Sequence, residues 1–240
     1  MPNYPFENWL SEARSHLENT GRPLVSLCYA QSLDGSLTDR CGYPLAISGS
    51  QASLLTHHLR SLHDGILAGI GTVLADDPQL TVRLVKGRSP RPIILDSTLR
   101  LPLSARLLDP QRQAPRPWVA TVEPVDPQRQ NAIQASGGRV LVLPAGVQGG
   151  IDLQALLNCL GELGLVSLMV EGGIHVIDSF LTSNLANFVV ITIAPRFIGG
   201  CGLAKASGLV NRSDGNGFPE LQEMGFDRVG EDLLIWGRLN

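Results

Sequence analysis

Cysteine is scarce in this 240-residue chain. Only Cys28, Cys41, Cys159 and Cys201 occur, widely spaced and with no C-x-x-C pair. That spacing indicates neither a zinc knuckle nor a disulfide framework. The expectation is four free thiols in a reducing cytosol, hence a cytoplasmic protein, with no metal site. An excess of positive charge is also missing: 19 Lys and Arg stand against 22 Asp and Glu, for a net charge of −3. No basic field favours nucleic acid, although local arginines can still take phosphates. The N-terminus lacks a basic start followed by a long apolar stretch, and no run is long enough to span a membrane.

What is present is core-forming residue, 43% of the chain. That suffices for one large α/β domain or two small ones. Pro5–Asn19 reads as an amphipathic helix, with Phe6, Leu10, Ala13 and Leu17 on one stripe and Gly21 to end it. It is read as an N-terminal extension, residues 1–21, packed on one domain of residues 22–240. Strands are expected at Leu24–Ala30, Gly65–Ala68, Pro92–Leu95, Trp118–Val122, Arg139–Leu143, Val166–Val170, Asn187–Ala194 and Asp232–Leu239. Helices are expected at Ser50–Leu62, with Ser50 as N-cap, and after Asp152, with Leu153, Leu156, Leu157 and Leu160 on one face. Alternation of strands and helices implies a three-layer α/β/α fold around a mostly parallel sheet. The last two strands have no clear helix between them, so the C-terminal strands are expected to be antiparallel. Gly208–Pro219 reads as a polar loop.

The sharpest local signal is Glu171-Gly172-Gly173, between the apolar run Val166–Val170 and an expected helix at Ile174–Leu181. Strand, two glycines and helix suit an anion: the chain turns tightly, a phosphate can approach the backbone, and the helix start offers unpaired N–H groups. Glu171 stands at the strand's carboxyl end, where open α/β sheets bind ligands. A second block runs from Leu59 to Arg83. Its Gly69-Ile70-Gly71 turn lacks the third glycine of a dinucleotide fingerprint. Thr72 either faces a ligand or caps a short helix, and Asp76-Asp77-Pro78 is a site or a turn. Arg60 and Arg83 flank the block; a guanidinium suits phosphate, or is simply a solvated surface group. Asp34, in Asp34-Gly35, is a turn residue or a site residue. Ser97, Thr98 and Arg100 at another strand end hold a phosphate or form a simple turn.

Taken together, A-Q-S-L-D-G at 30–35, the block from Leu59 to Arg83, L-D-S-T-L-R-L-P at 95–102, and V-E-G-G followed by I-A-P-R-F-I-G-G at 193–200 carry a resemblance. Across residues 22 to about 202 the chain resembles the pyrimidine reductases of riboflavin biosynthesis, which have a dihydrofolate-reductase-like fold. The resemblance implies NADPH-dependent reduction of a phosphoribosylamino-pyrimidine, the ring-opened ribose imine accepting a hydride. It implies that Ala30, Thr72, Asp76, Ser97 and the run Gly172, Gly173, Ile174, His175 and Val176 hold NADPH; specificity over NADH needs a 2′-phosphate site, for which Ser97 and Arg100 are the candidates. Arg60, Leu80, Arg83 and Glu171 would contact substrate. Glu171, as the catalytic residue, would orient a hydroxyl or help protonate the imine nitrogen. A homodimer is implied too, with apolar residues around Phe188–Phe197 at the interface or in the core.

Two departures stand out. Cys28 replaces a lysine common in bacterial members, and Pro44-Leu45-Ala46-Ile47 replaces a Ser-x-Trp-Ile pattern. Y-A-Q-S-L-D, T-H-H-L-R and H-D-G-I-L are closer to fungal-type reductases, which act before deamination of the pyrimidine. His16-Leu17-Glu18 has the H-x-E spacing of a zinc deaminase, but no P-C-x-x-C follows. Reduction without deamination is therefore expected. The alternatives are a related NADPH oxidoreductase with another substrate, and a nucleotide-binding protein without turnover.

Overall fold

A computed structural model describes residues 4–43, 45–146, 149–203 and 219–239. Its centre is a nine-stranded sheet. The strands are β1 (Leu24–Ser32), β3 (Gly65–Gly69), β4 (Arg91–Leu95), β5 (Trp118–Val122), β6 (Arg139–Leu143), β7 (Ser167–Gly172), β8 (Phe188–Ala194), β10 (Leu221–Val229) and β11 (Asp232–Leu239). Their order is β10-β11-β8-β1-β7-β3-β4-β5-β6. The strands from β8 across to β6 pair in parallel, whereas β11 runs antiparallel to β8 and β10 antiparallel to β11. A small second sheet pairs β2 (Ser36–Thr38) with β9 (Cys201–Gly202). The expected mostly parallel sheet with an antiparallel finish is the observed one.

Central strands bury both faces, because successive side chains point to opposite sides. Val25 and Leu27 of β1, Leu67 of β3 and Val170 of β7 share one core with Leu156, Leu157 and Leu160 of α6 (Leu153–Glu162) and Ile177 and Phe180 of α7 (Ile174–Thr182). On the other face, Leu24 and Cys28 meet Leu55 and Leu59 of α3 (Ser50–Leu62), Met169 and Phe188. Ile66, Ala68, Ile94 and Val119 meet Val73 of α4 (Ile70–Asp76) and Ile133 of α5 (Pro127–Ala135). Asp152 caps α6, accepting the Ala155 N–H at 3.0 Å, as its sequence suggests.

Several boundaries differ from expectation. The N-terminal helix is two, α1 (Phe6–Ser11) and α2 (Ala13–Thr20), divided at Glu12. Gly21 ends α2 in the left-handed conformation, φ 71°, where glycine has no Cβ penalty. Phe6 and Trp9 are buried, and the Trp9 ring stacks on Phe188 at 4.4 Å. Gly49, not Ser50, is the N-cap of α3, and Gly69 leads directly into α4. Phe188, Val189 and Val190 are core, since β8 lies between β1 and β11; of the run considered for an interface, Pro195, Arg196 and Phe197 are exposed. Pro44 and nearly all of Gly208–Pro219 lie outside the described residues.

The cysteine expectation needs correction. Cys41 and Cys201 form a disulfide across 160 residues of sequence, with Cα atoms 5.6 Å apart. It ties the turn after β2 to β9, the strand that β2 already pairs with. Cys28 and Cys159 are free thiols.

Candidate active site

Two neighbouring strands build the centre of the site. β3 and β7 run parallel, with Ala68 opposite Gly172. Each ends in glycine and enters a helix, Gly69 into α4 and Gly173 into α7. Neither N-cap position makes a side-chain capping bond. In α7 the Val176 N–H already donates to the Gly173 carbonyl at 2.9 Å, so the earlier first-turn N–H groups are the ones that face an external acceptor, at the positive ends of the helix dipoles. The two starts crowd each other: a Cβ on Gly173 would lie 3.2 Å from Thr72 Oγ1, and one on Gly69 2.9 Å from Val176 Cγ2. Gly172 has φ 126°, which side chains rarely adopt, and the Gly172–Gly173 peptide is cis. Absent Cβ atoms here let the two helix starts pack side by side, a cradle whose backbone N–H groups suit a diphosphate.

This geometry draws Thr72 and Gly172 through Val176 together. Thr72 is half-buried in the first turn of α4, whereas Asp76 is the exposed last residue of that helix. Asp76 is therefore roughly 6 Å along the axis from Thr72, at the rise of an α-helix. His175 is exposed. Ser97 follows β4, half-buried, and its carbonyl accepts the Thr121 hydroxyl at 3.0 Å. Arg100 is exposed, 3.9 Å from the fully buried Asp96 carboxylate.

Beside the cradle is a cavity of about 160 Å³ lined by Cys28, Tyr29, Ala30, Leu55, Thr56, Leu59, Glu171, Val190 and Thr192. Ala30 and Glu171 are among the residues expected at the site. Thr192 had no signal, reading as an ordinary strand residue, whereas Tyr29 and Thr56 open the Y-A-Q-S-L-D and T-H-H-L-R motifs without being assigned a role there. Cys28 occupies the wall as a neutral thiol, pushed up by burial and then by the Glu171 charge. Burial pushes Tyr29 up to about 12.

Glu171 does not stand alone. Arg60, from α3, grips it with both prongs: Nε donates to Oε1 at 2.5 Å and Nη2 to Oε2 at 2.7 Å. Arg60 Nη1 also donates to the Thr81 carbonyl at 3.1 Å. Burial opposes the guanidinium charge, but the charge and hydrogen bonds of Glu171 outweigh it and raise the Arg60 pKa. Arg60 is thus committed to protein groups. Arg83 is exposed, and among the described residues its guanidinium meets only Thr81 Oγ1, at 3.2 Å. Leu80 is buried with φ 49°, so its side chain faces the core while the chain turns.

Residues 23–235 match the RibD C-terminal domain family. A 2,5-diamino-6-ribosylamino-4(3H)-pyrimidinone 5′-phosphate reductase of Debaryomyces hansenii is 36% identical over 194 residues, 75% of this chain and 78% of that protein. The riboflavin biosynthesis protein RibD of Aquifex aeolicus is 34% identical over 90% of this chain, which spans 57% of that longer protein. Among solved structures, the riboflavin biosynthesis reductase of Saccharomyces cerevisiae superposes with a TM-score of 0.75 at 29% identity, covering 99% of this chain and 100% of that one. The chain belongs to the RibD C-terminal domain family, and it is an oxidoreductase of the pyrimidine-reductase type.

Proposed function

We propose that this chain uses NADPH to reduce a phosphoribosylamino-pyrimidine of riboflavin biosynthesis to its ribitylamino product. The substrate is the amino-uracil or its diamino-pyrimidinone precursor. The observation that carries the reading is the pair of uncapped helix starts at Gly69 and Gly173, packed beside a cavity that contains Glu171. The cradle fits the cofactor's diphosphate, because glycine lets the two helix starts approach each other and the first N–H groups of both helices lie at the positive dipole ends. Thr72 and Gly172–Val176 hold it there, with Ala30, Asp76 and Ser97 along its length and Arg100 with Ser97 at the 2′-phosphate. When bound, NADPH supplies the hydride.

The rest falls to the chain's own side chains. Placement dominates such a step, and acid assistance comes second. Glu171 gives one lone pair on each oxygen to Arg60, so its remaining lone pairs are suited to orienting a substrate hydroxyl. Arg83 meets the substrate at its phosphate, and Leu80, its side chain turned to the core, meets it through the backbone. Residues 22–240 serve as the reductase domain and residues 1–21 as an extension seated through Phe6 and Trp9. A homodimer fits the exposed Met224 and Phe226 on the outermost strand, β10. A cytoplasmic site of action suits the biosynthetic role, although the Cys41–Cys201 bond removes the thiol argument for it.

The test is loss of reduced-nicotinamide absorbance with each pyrimidine supplied separately. Turnover of either supports the reading. NADPH binding with no turnover of either overturns it.

A further inference from the structure

The segment that carries Leu80 and Arg83 is neither helix nor strand, so its backbone groups need partners from elsewhere. Helix α3 supplies two of them from residues one turn apart, which share a face of the helix. Arg60 Nη1 donates to the Thr81 carbonyl at 3.1 Å, and His57 Nδ1 accepts the Arg83 N–H at 2.9 Å. Between them, Ser89 Oγ accepts the Val82 N–H at 3.0 Å. His57 is buried, 5% exposed, and it reaches across 26 residues of sequence. The bond fixes the tautomer as well: Nδ1 accepts, so the ring proton is on Nε2.

We infer that His57 is a positioning residue: by accepting the Arg83 N–H, it fixes where the Arg83 guanidinium meets the substrate phosphate. The inference rests on the proposed reduction of a phosphoribosyl substrate. Its logic is a division of labour between two arginines. Arg60 is held in its pair with Glu171, and one turn of α3 sets both that pair and the loop bearing the exposed Arg83. A guanidinium binds phosphate in two-pronged geometry, so displacement of its backbone costs affinity. Burial first, then the charges of Arg60 and Arg83, lower the His57 pKa to about 4 against a smaller opposing effect of Glu171. The acceptor lone pair is therefore available at neutral pH.

The experiment compares wild type with His57→Leu, which lacks an acceptor, and His57→Gln, which keeps one. His57→Leu is expected to raise KM for the phosphorylated pyrimidine on the order of tenfold while kcat changes less than about twofold. His57→Gln is expected to stay near wild type, and the dephosphorylated riboside to show no difference among the three. Equal KM increases for both substrates, a fall in kcat at constant KM, or a Gln variant as impaired as Leu overturns the inference. If His57→Leu does not fold, the His57→Gln result decides. In parallel, inorganic phosphate is titrated in the presence of saturating NADP⁺ by thermal shift, a readout without turnover. Weaker phosphate binding in His57→Leu than in wild type and His57→Gln supports the inference even if neither pyrimidine is reduced, an outcome that would overturn only the functional reading. Equal phosphate binding in all three counts against His57.

Discussion

Arg60 and Glu171 meet as a two-pronged ion pair across 111 residues of sequence, with their side chains only 13% and 16% exposed. Removing one member of a buried pair strands the other charge, which costs about 3–5 kcal/mol. Replacing both leaves no uncompensated charge. Glu171→Gln and Arg60→Met are therefore each expected to lower stability by about 3 kcal/mol, and the double variant by less than the sum. Urea unfolding of the four proteins measures the coupling. Additive losses would mean that the pair does not act as a unit. In activity, Glu171→Gln should cripple turnover and leave NADPH binding largely intact; loss of cofactor binding alone would assign Glu171 to the other ligand.

The cradle predicts a steric effect on cofactor binding. Gly173→Ala places a Cβ 3.2 Å from Thr72 Oγ1, so one helix start has to shift. Kd for NADPH is expected to rise roughly tenfold, equivalent to about 1.4 kcal/mol. Wild type serves as the control in the same titration. Fluorescence titration of NADPH compares them; equal affinities would place the diphosphate elsewhere.

Arg100 supplies the cofactor-selectivity test. Its guanidinium is exposed and only loosely associated with Asp96, at 3.9 Å, so it is available to a 2′-phosphate. Arg100→Ala should raise KM for NADPH and barely change KM for NADH. Steady-state kinetics with both cofactors decides, and equal effects would remove Arg100 from the 2′-phosphate site.

Sequence legibility followed hydrophobic runs. Trp118–Val122, Arg139–Leu143 and Asp232–Leu239 matched their predicted bounds, because each reads as a short apolar run, β6 even at the sheet's edge. β10 was missed: Gln222, Glu223, Asp227 and Arg228 give an edge strand a polar pattern, and its pairing is irregular between Gln222 and Gly225. The glycine motifs located the cradle because they act through local backbone. Arg60 stood out in sequence, but not as the partner of Glu171, nor His57 as that of Arg83. Those bonds join distant segments, and no spacing records them. The same holds for Cys41 and Cys201.

That disulfide gives a direct chemical prediction. Denatured without reductant, the protein should show two titratable thiols, Cys28 and Cys159; after reduction it should show four. Closing so long a loop stabilises by about 2–4 kcal/mol, so reduction should also lower Tm. Four thiols before reduction would restore the free-thiol expectation.

The acid side of the stability profile follows from His63. It is 1% exposed and fully bonded: Nδ1–H donates to the Leu59 carbonyl at 2.8 Å, and Nε2 accepts the Ser26 hydroxyl at 3.0 Å. Burial lowers its pKa from 6.5 to about 4, against the opposing influences of the Leu59 carbonyl, Asp64 and Glu171. A lowered histidine pKa means that the unfolded chain binds the proton first. Above pH 6.5 both states are neutral and the group has no effect on stability. As pH falls from 6.5 toward 4 the unfolded state gains protons that the native state refuses, and stability drops. Below 4 the loss levels off, on the order of 3 kcal/mol for this one group. His63→Gln should be less stable at neutral pH yet lose less stability between pH 6.5 and 4 than wild type does. Denaturant unfolding at both pH values reads the difference, and parallel pH profiles for the two proteins would show that His63 is not the group titrating.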